Sequence, residues 1–344
     1  MTKNKTVGFI GGKFLPFHLG HVYVIIAASN LVDKLHVVVS SSKNRDREIC
    51  ERDGMKYIPA DVRLSWIGES LNNLDNVKVI HIEDDQWDED YDWEAGANMI
   101  KKAIGPIDFV FSSEESYGEH FKKYYPDSKH VVVDDKRKTV TISATEMRKK
   151  LYDNWDKLPN CVKSYFVKRV AIVGTESCGK STLAKKLAKF YNTEWAHEVG
   201  RDYCERYSNL LTKDMFDKIA MEHYLLQVKK AGESNKVLFV DSEATITQYY
   251  LNMYFNGAKS DLIEEVIKLQ DYDLIIYLEP DIPWVGDGLR FAGEEKFRAK
   301  NNEKLKAMFS ERGIDFVSIG GNYSERFNKA KDLIEGLFVG GKDV

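Results

Sequence analysis

The chain has 344 residues, 43% of them apolar and 30% charged, with a formal net charge of −4. That length favours two domains over a single core, and the composition is that of an ordinary globular chain. A slightly acidic balance without a separate Lys/Arg block excludes a basic surface for nucleic acid, and four scattered cysteines (Cys50, Cys161, Cys178, Cys204) form neither a disulfide framework nor a metal-ligand spacing.

Met1–Lys5 leads directly into β-rich sequence, with no signal-peptide core and no apolar run long enough for a bilayer. A cytoplasmic protein with no membrane insertion is therefore expected. Thr6–Ile10 reads as a strand and Leu19–Leu31 as a helix. Between them runs Gly11-Gly12-Lys13-Phe14-Leu15-Pro16-Phe17-His18-Leu19-Gly20-His21. Two histidines at a helix N-terminus suit stabilisation of charge on an attacked phosphate and a departing pyrophosphate. Gly11 and Gly12 let the backbone approach a nucleotide, with Phe14 in the same turn. Lys13 can clamp a triphosphate, and His18 and His21 can face the same phosphates.

Leu35–Ser40 is the next strand, Ala60–Leu74 has helical periodicity, and Val77–Ile82, Phe109–Ser112 and Val131–Val133 are further strands with helical stretches between. Short β-branched runs alternating with helices predict a parallel sheet covered on both faces. Glu83–Trp93 is acidic and rich in tryptophan. Trp87 or Trp93 could be the aromatic platform for a flat cation, or either could simply dock on the core beneath a solvated loop. In Ile142-Ser143-Ala144-Thr145-Glu146-Met147-Arg148, Ser143 should cap a helix and leave N–H groups for phosphate, with Thr145 beside it. Arg148, one turn on, can point at the same phosphates. Ser143 with Glu146 also reads as an ordinary capping box.

Polar sequence and Pro159 mark a boundary, giving domains over 1–151 and 169–344 joined by 152–168. The joining segment should be partly helical and packed, because Trp155, Tyr165 and Phe166 suit no free linker. Arg169–Val173 then reads as a strand, followed by Gly174-Thr175-Glu176-Ser177-Cys178-Gly179-Lys180-Ser181 and a helix over Ser181–Phe190. This is a P-loop in its proper strand–loop–helix context. Its N–H groups cradle phosphates, Lys180 bridges β- and γ-oxygens, Ser181 ligates Mg²⁺, and Thr182 completes the ATP-binding set. Cys178, near a helix N-terminus, is either an alkylation-sensitive thiol or a tolerated small residue.

Phe216–Lys230, Leu262–Leu269, Glu295–Phe309 and Glu325–Leu337 read as helices, and Val237–Val240, Leu274–Leu278 and Phe316–Ile319 as strands. Asp241 ends one of these strands, either turned toward the metal or capping the strand end. Glu198, Arg201 and Asp202 follow a short strand and can reach an acceptor pocket; Asp241 or Glu198 is the candidate base. Trp284, Asp287 and Arg290 lie in a stretch where Gly286 and Gly288 permit hinge motion. Arg290 can approach a transferring phosphoryl group, or form a surface ion pair.

With Gly12, Phe14, Pro16, His18, Gly20 and His21 in place, the first half resembles the HxGH nucleotidyltransferase superfamily, and Ile142–Arg148 is similar to its second signature. The Gly-Gly-Lys-Phe turn and Phe111-Ser112-Ser113-Glu114 with Tyr117-Gly118 resemble nicotinamide mononucleotide adenylyltransferases of the NadR type. The second half, with Glu-Val-Gly-Arg-Asp-Tyr and Pro-Trp-Val-Gly-Asp-Gly-Leu-Arg, is similar to their ribosylnicotinamide kinase domain.

The resemblance implies an α/β fold of two Rossmann-like parallel-sheet domains, a nucleotidyltransferase followed by a P-loop kinase. It implies a bifunctional salvage enzyme that phosphorylates nicotinamide riboside to nicotinamide mononucleotide and adenylylates that to NAD, with ATP as co-substrate and Mg²⁺ as cofactor. Trp284 would then face the nicotinamide ring. Some members carry a helix-turn-helix repressor domain at the N-terminus; the early first strand leads us to expect none here, and no operator binding. A riboside transporter is an implied functional partner, and a homo-oligomer stays open. Another adenylyltransferase–kinase fusion, such as one of the coenzyme A pathway, would share both motif types. A P-loop unit that only senses nucleotide is the other alternative.

Overall fold

The computed structural model describes residues 5–84, 92–135, 138–282 and 295–338. It divides into two compact units, Met1–Val162 and Lys163–Gly340.

The first unit runs β1 (Val7–Gly12), α1 (Leu19–Ser29), β2 (Lys34–Ser41), α2 (Lys43–Arg52), α3 (Ala60–Ser70), β3 (Val77–Glu83), α4 (Trp93–Ile104), β4 (Phe109–Ser112), α5 (Gly118–Tyr124), β5 (Lys129–Val132) and α6 (Ala144–Lys149). Its five strands are parallel in the order β3-β2-β1-β4-β5. The chain thus builds outward from β1 in one direction, then returns to its other side. Such a reversal opens a crevice at the strands' C-terminal ends, where the loop after β1 emerges. Phe9, Val38, Ile82 and Val110 form part of the core with Ala97 and Ile100 of α4. Gly8 sits where any side chain would strike Phe111, since a Cβ there would lie 2.6 Å from its ring.

A short 3₁₀ turn (Tyr152–Lys157) and α7 (Asn160–Phe166) follow. Trp155, Leu158 and Val162 are buried, so this stretch is helical and packed, as its aromatic content required.

The second unit contains β6 (Lys168–Val173), α8 (Lys180–Tyr191), β7 (Trp195–Ala196), α9 (Val199–Arg206), α10 (Lys213–Glu233), β8 (Val237–Asp241), α11 (Ala244–Tyr254), α12 (Asp261–Leu269), β9 (Leu274–Leu278), α13 (Glu295–Glu311), β10 (Val317–Ile319) and α14 (Tyr323–Gly336). Its parallel sheet has the order β10-β9-β6-β8-β7, again with the first strand central. Along β6, Val170 and Ile172 pack with Leu183 and Leu187, whereas Ala171 and Val173 pack with Ile246 and Phe309. Both faces of the strand are therefore apolar, the expected signature of a covered parallel sheet. Among the described residues, no helix is long and apolar enough to cross a membrane.

Candidate active sites

In the first unit, β1 delivers the chain into a turn with a cis Leu15–Pro16 bond and Phe14 at φ 50°. His18, 4% exposed, is the N-cap of α1. Its ring stacks on that of His21 with centroids 3.6 Å apart, and Phe17 and Phe14 pack on His21 in turn. The His18 N–H donates to Nδ1 of His21 (3.3 Å). A neutral His21 ring therefore carries its proton on Nε2. Gly20 explains itself here, because a Cβ would stand 2.9 Å from Nδ1 of His18 and 3.5 Å from Ile142. Around Gly11 and Gly12 a Cβ would meet only ordinary contacts.

Two buried arginines hold this turn by its carbonyls. Arg63, fully buried on α3, donates to the Lys13 carbonyl at 2.7 Å and to Asp46 at 2.6 Å. Asp46, on α2, also accepts from Lys13 Nζ at 2.5 Å. Arg148 donates to the Leu15 carbonyl (2.7 Å), to Asp53 (2.6 Å) and to Thr145 Oγ1 (3.1 Å). Arg52, and after it Arg148, keep the Asp53 carboxyl below its ordinary range, although burial opposes them. The guanidinium foreseen on phosphate thus braces the histidine turn. Ser143 caps α6, accepting from the Glu146 N–H at 3.1 Å. Lys13 keeps 30% of its side chain exposed. Trp93 has one face stacked on His120 at 4.3 Å; Trp87 lies outside the described residues.

In the second unit, Gly174 (φ 142°) and Gly179 (φ 88°) adopt backbone angles that L-residues avoid, and a Cβ on Gly174 would meet the Leu278 carbonyl at 2.7 Å. Lys180, 7% exposed, places Nζ 2.9 Å from the Thr175 carbonyl. Burial alone would lower its pKa, but Cys178, Glu198, Asp241 and Glu176 together raise it, so the ammonium stays charged. At Cys178 the structure favours the tolerated small residue over the alkylation-sensitive thiol. The cysteine is fully buried, its Sγ points at the Thr175 carbonyl (3.0 Å), and burial raises its pKa more than the charges of Lys180 and Arg326 lower it.

Asp241, 1% exposed at the end of β8, is pushed upward by burial and by Glu198, while Lys180 and a hydrogen bond with Ser181 pull it down. Its Oδ1 has no hydrogen-bond partner among the described residues. Glu198 is the N-cap of α9. A cavity of about 710 Å³ brings Glu176, Ser177, Gly179, Lys180, Ser181 and Thr182 together with Glu198 and Arg201. Part of its remaining wall is aromatic, with Tyr250 stacked on Tyr254 and Phe216 packed on Phe255. Asp202 is not on that wall; it pairs with His197 at 2.8 Å near the surface. Trp284, Asp287 and Arg290 lie outside the described residues.

Sequence reasoning missed Asp46, Arg63 and Asp53, and in this unit Arg326. Arg326 is 1% exposed on α14 and donates to the carbonyls of Cys178, Glu279 (2.7 Å) and Gly321 (2.8 Å), and to Asp281. No local motif announces such a residue, because all its partners but Gly321 lie 45 or more residues away in sequence.

Fold and loops together define a two-unit nucleotide-binding α/β transferase, an HxGH turn in one unit and a P-loop in the other. Residues 9–150 match the cytidylyltransferase-like family, and residues 169–326 match the AAA domain family. The chain is 35% identical over 347 residues to the trifunctional NAD biosynthesis/regulator protein NadR of Escherichia coli (strain K12), covering 96% of this chain and 83% of that protein. It is 34% identical to the NadR of Salmonella typhimurium, covering 97% and 83%. A crystal structure of a NadR protein in complex with NR superposes with a TM-score of 0.77 at 25% identity over 97% of this chain and 96% of that one. A second NadR structure, in complex with NAD and AMP-PNP, gives 0.75 at 24% identity with the same coverage. The chain belongs to the NadR family.

Proposed function

We propose that this chain makes NAD from nicotinamide riboside in two ATP-dependent steps. The observation that carries this reading is the pair of phosphate loops, each after the central strand of its own sheet and each of a different chemical kind.

In the P-loop unit, the 5′-hydroxyl of the riboside attacks the γ-phosphorus of ATP, the bond to ADP breaks, and the hydroxyl proton leaves to a carboxylate. Lys180 stabilises the charge on the transferring group. Ser181 and Asp241 fit a Mg²⁺ ion, because Asp241 offers a buried oxygen with no hydrogen-bond partner among the described residues, beside the hydroxyl of Ser181. When bound, that ion neutralises charge on the β- and γ-phosphates. With Asp241 turned to it, Glu198 is the better proton acceptor. Arg201 lines the same cavity, and the aromatic wall suits a flat cationic ring.

In the HxGH unit, a phosphate oxygen of nicotinamide mononucleotide attacks the α-phosphorus of a second ATP, giving NAD and pyrophosphate with no covalent enzyme intermediate. His18, His21 and Lys13 carry the charge stabilisation, and Arg148 holds the turn that presents them. Ser143, Thr145 and the backbone of Gly11–Phe14 border the nucleotide.

The deciding experiment supplies purified protein with nicotinamide riboside and Mg-ATP and follows products by chromatography. Mononucleotide followed by NAD is the expected sequence. ATP binding without any phosphorylated riboside would instead make the P-loop unit a nucleotide sensor.

A further inference from the structure

Two residues that line the P-loop cavity, His223 and Ser242, carry buried polar atoms that the proposed chemistry does not use. Phe216, Ile219 and His223 lie on one face of α10, spaced by three and four residues, and all three line the cavity. His223 is 4% exposed, and its Nε2 has no hydrogen-bond partner among the described residues. Ser242 lines the same cavity, directly after Asp241. It is also 4% exposed, sits at φ 71°, and its Oγ is likewise without a partner. A buried polar atom left unpaired costs about 1–3 kcal/mol. Two of them on residues lining one cavity call for partners from the molecule that fills it.

The chemistry of that molecule follows from what else lines the space. Lys180, Ser181 and Glu198 serve the phosphorylated hydroxyl. Phe216, Tyr250, Tyr254 and Phe255 suit a planar ring. The acceptor has two further polar groups, its ribose diol and its ring carboxamide; Ser242 directly follows Asp241 and so sits near the phosphorylated 5′ end, where the diol lies. We propose, resting on the kinase reading above, that Nε2 of His223 and Oγ of Ser242 bind the 2′,3′-diol of the acceptor and so select ribosides over deoxyribosides. Burial, and next the nearby His197, lower the His223 pKa to about 4. The ring is therefore a neutral hydrogen-bonding group at physiological pH. It adds no positive charge against a cationic acceptor.

The test compares kcat and KM of the full chain on nicotinamide riboside and on its 2′-deoxy and 3′-deoxy analogues, for the unaltered protein, His223→Phe, His223→Gln and Ser242→Ala. The unaltered protein should disfavour at least one deoxy analogue by about 10-fold or more, the worth of one buried hydrogen bond. His223→Phe should raise KM for the riboside about 10-fold with kcat little changed, and should shrink the discrimination to about 2-fold. His223→Gln, which keeps an amide near the lost nitrogen, should recover part of both. Affinity for a non-hydrolysable ATP analogue checks that each variant folds, and if His223→Phe fails that check, Ser242→Ala and His223→Gln decide. Equal use of all three acceptors by the unaltered protein, or undiminished discrimination in the folded variants, overturns the proposal. A protein that phosphorylates none of them overturns the kinase reading itself, a separate outcome.

Discussion

The two phosphate loops solve one problem with different materials. The HxGH turn is held from behind by charge: Arg63 and Arg148 grip the carbonyls of Lys13 and Leu15, and Asp46 and Asp53 hold the arginines. Its lysine is paired with a carboxylate and partly exposed. The P-loop is held by its own geometry, two glycines at positive φ and a buried lysine resting on a loop carbonyl, with Arg326 as the single arginine brace described. A turn built around side-chain imidazoles has to have its shape imposed. A turn built around backbone N–H groups largely makes its own shape. On the roles proposed above, catalysis and bracing fall to separate residues in the first unit and overlap in Lys180 in the second.

The largest expected effect separates the units outright. Lys180→Ala should lower riboside phosphorylation by about 10³-fold and leave mononucleotide adenylylation within about 2-fold, and His18→Ala should do the reverse by about 10²–10³-fold. Loss of both activities from either single change would end the two-site account. Next come the braces. Arg63→Met leaves buried Asp46 with Lys13 and a long bond from the Ser42 N–H (3.4 Å), and Arg326→Met strips the carbonyls of Cys178, Glu279 and Gly321 of this donor. Each should destabilise its own unit by about 3–5 kcal/mol, read as a fall in one activity and an early unfolding step while the other activity persists. If Arg326→Met proved the milder change, the P-loop would be shown to hold itself.

Acidification gives a smaller contrast. His223 has an ordinary unfolded pKa of 6.5 and a folded value of about 4. Its contribution is therefore fully present above pH 6.5 and is lost as pH falls toward 4, about 3 kcal/mol in all. Chemical denaturation at pH 7 and pH 4.5 should show a shallower acid loss in His223→Gln. Gly20→Ala should cost about 1–3 kcal/mol through the clash with His18 and reduce adenylylation with little change in kinase rate. The smallest effect concerns Cys178: brief iodoacetamide treatment of the native protein should leave it unmodified by mass spectrometry, and labelling there would contradict its burial.

Much of the architecture was legible because parallel strands buried on both faces announce themselves as short β-branched runs, as Leu35–Ser40 and Leu274–Leu278 do. Helix α2 was not, since Lys-Asn-Arg-Asp-Arg-Glu-Ile-Cys-Glu-Arg buries only Asp46 and Cys50 and carries almost no apolar stripe. In the sites, contiguous motifs could be read directly: His18 and His21 share one turn, and Lys180, Ser181 and Asp241 share one neighbourhood. Arg148 was visible as part of a motif, yet its partner, the Leu15 carbonyl, was not, because a backbone acceptor has no residue identity. His223 reads in sequence as one more position on a helix face; only burial distinguishes it.

The brace on the P-loop has a consequence for how the chain is made. Arg326 lies 148 residues after the Cys178 carbonyl it holds, whereas Arg63 lies 50 residues after the Lys13 carbonyl. Translation therefore delivers the first unit's clamps while the second has yet to appear, and domains generally fold as they emerge. The phosphate cradle of Gly174–Ser181 leaves the ribosome early but waits for nearly the last helix before it is locked. A message cut short before that helix would yield a chain able to finish NAD from supplied mononucleotide yet unable to make the mononucleotide itself.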